Sequence, residues 1–115
     1  PQPDPAPPPL PALSLRIATA TSTGKVRPRN EDASLVMQLS WTARGERHDA
    51  ALVVVADGMG GHNAGDRASA VAIGAIASAM APRLAALASG EAWSDDGAAE
   101  ALDLALWEAN RAILR

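Results

Sequence analysis

Residues 50–65 read AALVVVADGMGGHNAG, a run that passes from a strand pattern through a glycine-rich turn into a helix pattern. Its first part, Ala50 to Ala56, is wholly apolar and rich in valine, which is typical of a strand covered on both faces. Strand geometry is expected to stop at Asp57-Gly58. From about Gly65 small apolar residues recur at helical spacing, which predicts a helix lying close against a sheet: Ala68, Val71, Ala72, Ala75, Ile76 and Ala79.

Further elements are predicted on either side of this run. Upstream, apolar residues alternate over Leu13–Ala20 and again over Ala33–Trp41, so both segments are predicted strands, with a charged hairpin connection at Ala43–Asp49. Downstream, Pro82 should kink or end the first helix. A second helix is expected over 97–114, with N-cap candidates at 94–96 and an apolar stripe formed by Ala98, Leu102, Leu106, Ala109 and Ile113. The order predicts an α+β fold, an antiparallel sheet with helices packed on one side, whose other face needs a further layer.

Composition excludes several classes of function. The 115 residues include no cysteine, which rules out disulfides and thiolate chemistry. A net charge of -3 with scattered arginines gives no support to nucleic-acid binding. The longest apolar run, Ala68–Ala81, is too short to span a bilayer, and no signal peptide is recognisable, so a cytoplasmic protein is expected.

The N-terminal residues 1–12 are rich in proline, which predicts an extended, disordered linker ahead of a domain over 13–115. A proline-rich ligand for a partner domain is the alternative, although the run lacks the basic flank usual in such ligands.

Asp57 is a candidate ligand for a hard metal ion. A carboxylate at the end of a buried strand needs compensation for its lost hydration, and the flanking glycines permit positive φ angles and close backbone approach. Main-chain carbonyls, such as that of Gly58, could then turn toward the ion. A plain Asp-Gly turn and a phosphate-cradling loop are the alternatives, but the run lacks the lysine and serine/threonine of a P-loop.

A second polar segment, residues 26–32, supplies groups suited to phosphate chemistry. Arg27 and Arg29 could bind phosphate oxygens bidentately, and Glu31 and Asp32 add two carboxylates that should lie on opposite faces if they begin a strand. Charged residues at such a junction are also commonly just solvated.

Together the two segments resemble the bacterial branch of the type 2C (PPM) metal-dependent protein serine/threonine phosphatases. The matching order is Gly24, Val26-Arg27, Asn30-Glu31-Asp32, then residues 53–62 (VVVADGMGGH), followed by Ala64-Gly65 and Ala68-Ser69. The likeness is strong from Leu15 to Ser69 and looser to the stretch at 109–113, so it covers the N-terminal half of that family's domain.

This resemblance implies the first half of an α-β-β-α sandwich with a centre of two Mn²⁺ or Mg²⁺ ions. Asp57 would bridge the metals, the Gly58 carbonyl and Glu31 would bind them, and Asp32 would support the site. Arg27 would bind the substrate phosphate. The implied reaction is hydrolysis of phosphoserine or phosphothreonine in proteins by a metal-activated water. The implied partners are phosphorylated proteins, a cognate kinase among them.

Two features depart from the family pattern. Met59 stands where animal members carry a histidine thought to act as general acid. His62 is expected to be a helix-entry or loop residue rather than a catalytic acid. The aspartate ligands of the family's C-terminal half, in Asp-Gly and Gly-Asp-Asn motifs, have no match after Gly65. The 115-residue chain alone is therefore expected to be inactive and to self-associate through its uncovered sheet face. The alternative is a catalytically incomplete domain that acts as an interaction or regulatory module.

Overall fold

The computed structural model describes residues 2–5, 14–24, 30–58 and 65–115. These contain two strands followed by two helices: β1 (Asp32–Ala43), β2 (Glu46–Asp57), α1 (Gly65–Ala88) and α2 (Asp95–Ile113). The strands form an antiparallel two-stranded sheet, so the predicted α+β class with packed helices is confirmed. Residues 2–5 of the predicted linker are exposed and lack regular structure, and the rest of the linker, residues 1 and 6–12, lies outside the described residues.

A tight two-residue turn joins β1 to β2. The ladder runs without interruption from the pair Asp32–Asp57 to the pair Ala43–Glu46, which leaves only Arg44 and Gly45 in the turn. Both have positive φ angles, 53° and 78°, as a type I′ hairpin turn requires. The predicted connection over 43–49 was therefore too long, because the charged residues that suggested a loop belong to β2.

The hairpin has one face packed on helices and one face that is largely exposed. Leu35, Met37, Leu52, Val54 and Ala56 pack against the helical core. On the opposite face, Val53 and Val55 remain 54% and 74% exposed. The expectation that β2 is covered on both faces is thus wrong for this chain, whereas the expected uncovered sheet face is present.

Residues 14–24 do not form the strand predicted over 13–20; its first residue, 13, lies outside the described residues. The segment is held beside β1 by side chains instead. The Gln38 side-chain amide donates to the Leu15 carbonyl at 2.6 Å, and the Asn30 amide donates to the Thr21 hydroxyl. The described residues make no ladder of backbone hydrogen bonds there, so the described sheet has two strands rather than three.

Helix α1 continues past Pro82 to Ala88, so the proline does not end it. Proline has no N–H, so the carbonyl of Ser78, four residues earlier, has no helical donor. Both residues are exposed, so water can bind that carbonyl. The full helix α1 is long and apolar enough to cross a membrane, whereas the apolar run 68–81 considered by itself is too short. This is weak grounds for a membrane role, because core helices of soluble proteins pass the same test.

Helix α2 begins where the sequence indicated. The Ser94 hydroxyl accepts a hydrogen bond from the Gly97 amide at 3.0 Å, which makes Ser94 the N-cap, and acidic residues follow in the first turn. The predicted apolar stripe is correct for Ala109 but wrong for its bulky members, because the buried face consists of alanines spaced four residues apart: Ala101, Ala105 and Ala109. Leu102, Leu106 and Ile113 are exposed instead. The small alanine side chains allow α2 to pack closely on α1, and the bulkier leucine and isoleucine side chains lie outside this contact.

Helix α1 lies at the centre of the described structure. It contacts β1, β2 and α2, whereas α2 contacts neither strand. Its buried face carries Ala72, Ile76, Met80 and Leu84, of which Met80 is the largest fully buried side chain. The hairpin is therefore wide enough to cover α1 and leaves α2 beyond its edge.

Candidate functional site

Two of the predicted site carboxylates face each other at the open end of the hairpin. Asp32 begins β1 and Asp57 ends β2, and the two are direct partners in the ladder. The Gly58 amide donates to the Glu31 carbonyl at 3.1 Å, so the adjacent pair 31–58 is a hydrogen-bonded one. Asp32 and Asp57 therefore form a non-hydrogen-bonded pair, in which Cα atoms lie about 4.5 Å apart and side chains come closest.

This pairing places two like charges on one face of the sheet. Directly opposed carboxylates are mutually destabilising unless a cation or a donor lies between them. Both residues are exposed, so water screens much of the repulsion. The desolvation argument made for Asp57 from the sequence does not hold in this chain, and the case for a cation rests on the proximity of the two acids.

Asn30 fixes the backbone at the start of this site. Its side-chain oxygen accepts a hydrogen bond from the Asp32 amide at 3.0 Å, while its side-chain nitrogen donates to Thr21. The Asp32 amide is free for this contact because it belongs to a pair without ladder hydrogen bonds. The sequence marked Asn30 only as a turn residue, although an asparagine two residues before a strand amide is the pattern of an Asx turn.

Gly58 and Gly65 bring the end of β2 against the start of α1. A Cβ atom on Gly58 would overlap the Gly65 carbonyl oxygen and would lie 2.6 Å from the Glu31 carbonyl oxygen. A Cβ on Gly65 would in turn overlap the Gly58 carbonyl oxygen. The backbones of Gly58 and Gly65 are thus in close contact. We call Glu31, Gly58 and Gly65 the glycine corner.

Close approach, and not an unusual backbone angle, is the reason for glycine at these two positions. Neither Gly58 nor Gly65 has a positive φ, whereas Gly24, Gly45 and Gly90 do. The sequence is compatible with both reasons, and close approach is the one observed at the glycine corner. Gly65 was assigned only as a helix start, and its pairing with Gly58 had no signal in spacing alone.

Glu31 lies on the other side of the chain from Asp32. It is 7% exposed, and its carboxyl carbon would lie 3.0 Å from a Cβ atom on Gly65, at the first turn of α1. A helix N-terminus favours a negative charge, so this position suits a carboxylate. The predicted alternation of Glu31 and Asp32 is observed, and it separates Glu31 from the Asp32–Asp57 pair.

Several predicted site residues lie outside the described residues. These are Arg27 and Arg29 of the first segment and Met59, Gly60, Gly61 and His62 of the glycine-rich loop. In the described residues no group of three or more acidic, histidine or cysteine side chains could hold a metal ion. Asp32 and Asp57 alone could supply only part of the six or more oxygens that a hard cation needs.

An apolar groove adjoins the site. It has a volume of about 310 Å³ and lies between β2, α1 and α2, with Asp57 and Gly58 at one end. Val54 and Ala56 form one wall, and Leu106 and Ile113 form the other. The groove follows the β2 edge that pairs with no strand in the described structure.

Comparison with known proteins adds no identification: no family model, curated protein or solved structure matches the chain.

Proposed function

We propose that this chain is the N-terminal part of a metal-dependent protein serine/threonine phosphatase of the type 2C (PPM) class. The observation that carries the proposal is the opposed pair Asp32–Asp57, which lies beside the glycine corner. The sequence likeness over 15–69 gives this pair its chemical interpretation.

The proposed roles follow from position. Asp57 and Asp32 project from one face at the open end of the hairpin. Asp57 would hold a divalent cation, Mn²⁺ or Mg²⁺, and Asp32 would support the site beside it. Gly58 would contribute its carbonyl oxygen. Glu31, which lies on the α1 side and apart from the Asp32–Asp57 pair, would bind a metal directly or through water. Such ions, when bound, polarise a phosphoryl oxygen and activate water. Arg27 would pair with the remaining phosphate oxygens and orient the phosphoester for in-line attack.

The ligands of the described residues are too few for a complete two-metal centre. We therefore expect the 115-residue chain to bind Mn²⁺ weakly and to hydrolyse no phosphoester, and a longer chain that adds further carboxylates to be active. The proposed substrates are phosphoserine and phosphothreonine proteins, including those modified by a cognate kinase.

The proposal is tested by measuring Mn²⁺ binding to the 115-residue chain and hydrolysis of a phosphothreonine peptide by the full gene product. Asp57→Asn should abolish both, while Asp103→Asn, an exposed acid in α2, should leave both unchanged. Undiminished hydrolysis in Asp57→Asn would refute the role of Asp57. Phosphopeptide binding without turnover in the wild-type gene product would favour the alternative, an interaction module.

A further inference from the structure

Helix α2 exposes an unusual share of large apolar side chains. Of the nine that are exposed in the described structure, six belong to α2 and its C-terminal cap. Two of them, Leu106 and Ile113, line the groove, and Leu102 lies one turn before Leu106 on the same face of the helix. The other three lie on a different side of α2 from the groove residues and are also exposed: Leu104, Trp107 and Leu114.

The outward side of α2 has the spacing of a coiled-coil seam. Glu100, Leu104, Trp107, Arg111 and Leu114 are separated by four, three, four and three residues. This 3.5-residue period keeps all five side chains on one stripe that another helix can cover. We call these five residues the α2 seam. The seam is distinct from the alanine face that packs on α1.

We propose that the α2 seam binds the α2 seam of a second copy of this chain, antiparallel, across a two-fold axis. A register centred between residues 105 and 106 places Leu104 of each copy against Trp107 of the other. The same register places Glu100 of each copy against Arg111 of the other, and Leu114 against the small Gly97. Each layer of the interface then combines complementary groups.

Charge selects this orientation. A parallel pairing in register would set Glu100 against Glu100 and Arg111 against Arg111, and like charges at adjacent seam positions are destabilising. The antiparallel pairing converts both contacts into opposite-charge pairs. It is also isologous, so two identical surfaces satisfy each other and the assembly closes at a dimer.

Within one copy, the Arg111 side chain already lies over Trp107, another residue of the seam. Its guanidinium carbon lies 4.8 Å from the centroid of the Trp107 ring, and one terminal nitrogen lies 3.6 Å from the Glu108 carboxylate. The arginine and Glu108 side chains are each about half exposed, so donor groups remain available to a second copy. Tryptophan and arginine are the residues most enriched at the energetic centres of interfaces.

The size of the seam sets the expected strength. Residues 97–114 extend about 26 Å along the helix axis, and one helix face of this length buries less than a standard interface. A weak, reversible dimer with a dissociation constant in the micromolar range or above is expected. This inference does not depend on the proposed phosphatase activity.

The test is sedimentation equilibrium of the 115-residue chain from micromolar to millimolar concentration. Arg111→Glu and Glu100→Arg should each reduce dimerisation by roughly tenfold or more, since each replaces two opposite-charge contacts with two like-charge contacts. The double variant with both changes should restore it. Circular dichroism of each variant would verify that α2 remains folded.

Matched leucine variants separate the seam from the other apolar surfaces. Leu104→Ala should weaken the dimer, whereas Leu106→Ala removes the same side chain from the groove side and should not. A wild-type chain that stays monomeric throughout would overturn the proposal. Association that is equally strong in Arg111→Glu, or that the double variant fails to restore, would overturn it as well.

Discussion

Replacing Gly58 by alanine should destabilise the chain through one identifiable contact. The added Cβ would overlap the Gly65 carbonyl oxygen and lie 2.6 Å from that of Glu31, well short of the 3.4 Å at which ordinary contact begins. Both obstacles are backbone atoms, so no side chain can rotate away. Either the end of β2 or the start of α1 must move.

The size of the effect follows from two opposing terms. Overpacking of this kind costs about 1–3 kcal/mol, while restricting the unfolded chain by a Gly→Ala change returns about 0.4–1 kcal/mol. A net loss of roughly 1–2 kcal/mol in the free energy of unfolding is expected, which is a large fraction of the stability of a small domain.

Gly74 provides a matched control in the same chain. It lies in the middle of α1, and a Cβ there would meet nothing within 4 Å. Gly74→Ala should therefore stabilise the chain by about 1 kcal/mol through helix propensity alone. Urea unfolding followed by circular dichroism measures both variants. If Gly58→Ala proved as stable as Gly74→Ala, the glycine corner would not be the close backbone contact described here.

Three further substitutions probe other parts of the fold, each by the same unfolding measurement. Ser94→Ala removes the hydroxyl that accepts from the Gly97 amide and should cost about 1 kcal/mol, whereas Ser89→Ala, in the exposed turn before α2, should be nearly neutral; equal effects would exclude the cap. Arg44→Gly relieves a positive φ of 53° in the hairpin turn and should add roughly 0.5–1 kcal/mol, and a loss of stability would contradict the I′ turn. Met80→Ala empties the largest fully buried position and should cost about 2–5 kcal/mol; a cost below about 1 kcal/mol would show that this part of the core is not closely packed.

The elements that the sequence predicted correctly have strong local signals. The second and third predicted strands follow alternation and a valine run, and both helices start near the predicted residues, with Ser94 at the N-cap. These features depend on neighbours close in sequence. The alternation of Glu31 and Asp32 was predictable for the same reason, because strand geometry alone sets it.

The errors concern features that tertiary packing decides. Residues 14–20 have the alternation of a strand, but they make side-chain contacts to Gln38 and Asn30 rather than a backbone ladder. In α2 the bulky residues suggested the buried stripe, yet close approach to α1 selects the alanines. The pairing of Asp32 with Asp57 could be predicted only from the exact hairpin register. That register depends on the two-residue turn, and the charged residues after the turn suggested a longer loop.

The two apolar surfaces of α2 differ in what can cover them. Leu106 and Ile113 border a groove that follows the unpaired edge of β2, so strands added to that edge would bury them together with Val54. The α2 seam lies on a different side of α2 from the groove, so strands added to the β2 edge would leave the seam exposed. If the phosphatase proposal is correct, a longer chain should therefore lose the exposed groove and keep the seam. A longer chain that is active and still dimerises through Glu100 and Arg111 would support both proposals, whereas an active monomer would support the first and overturn the second.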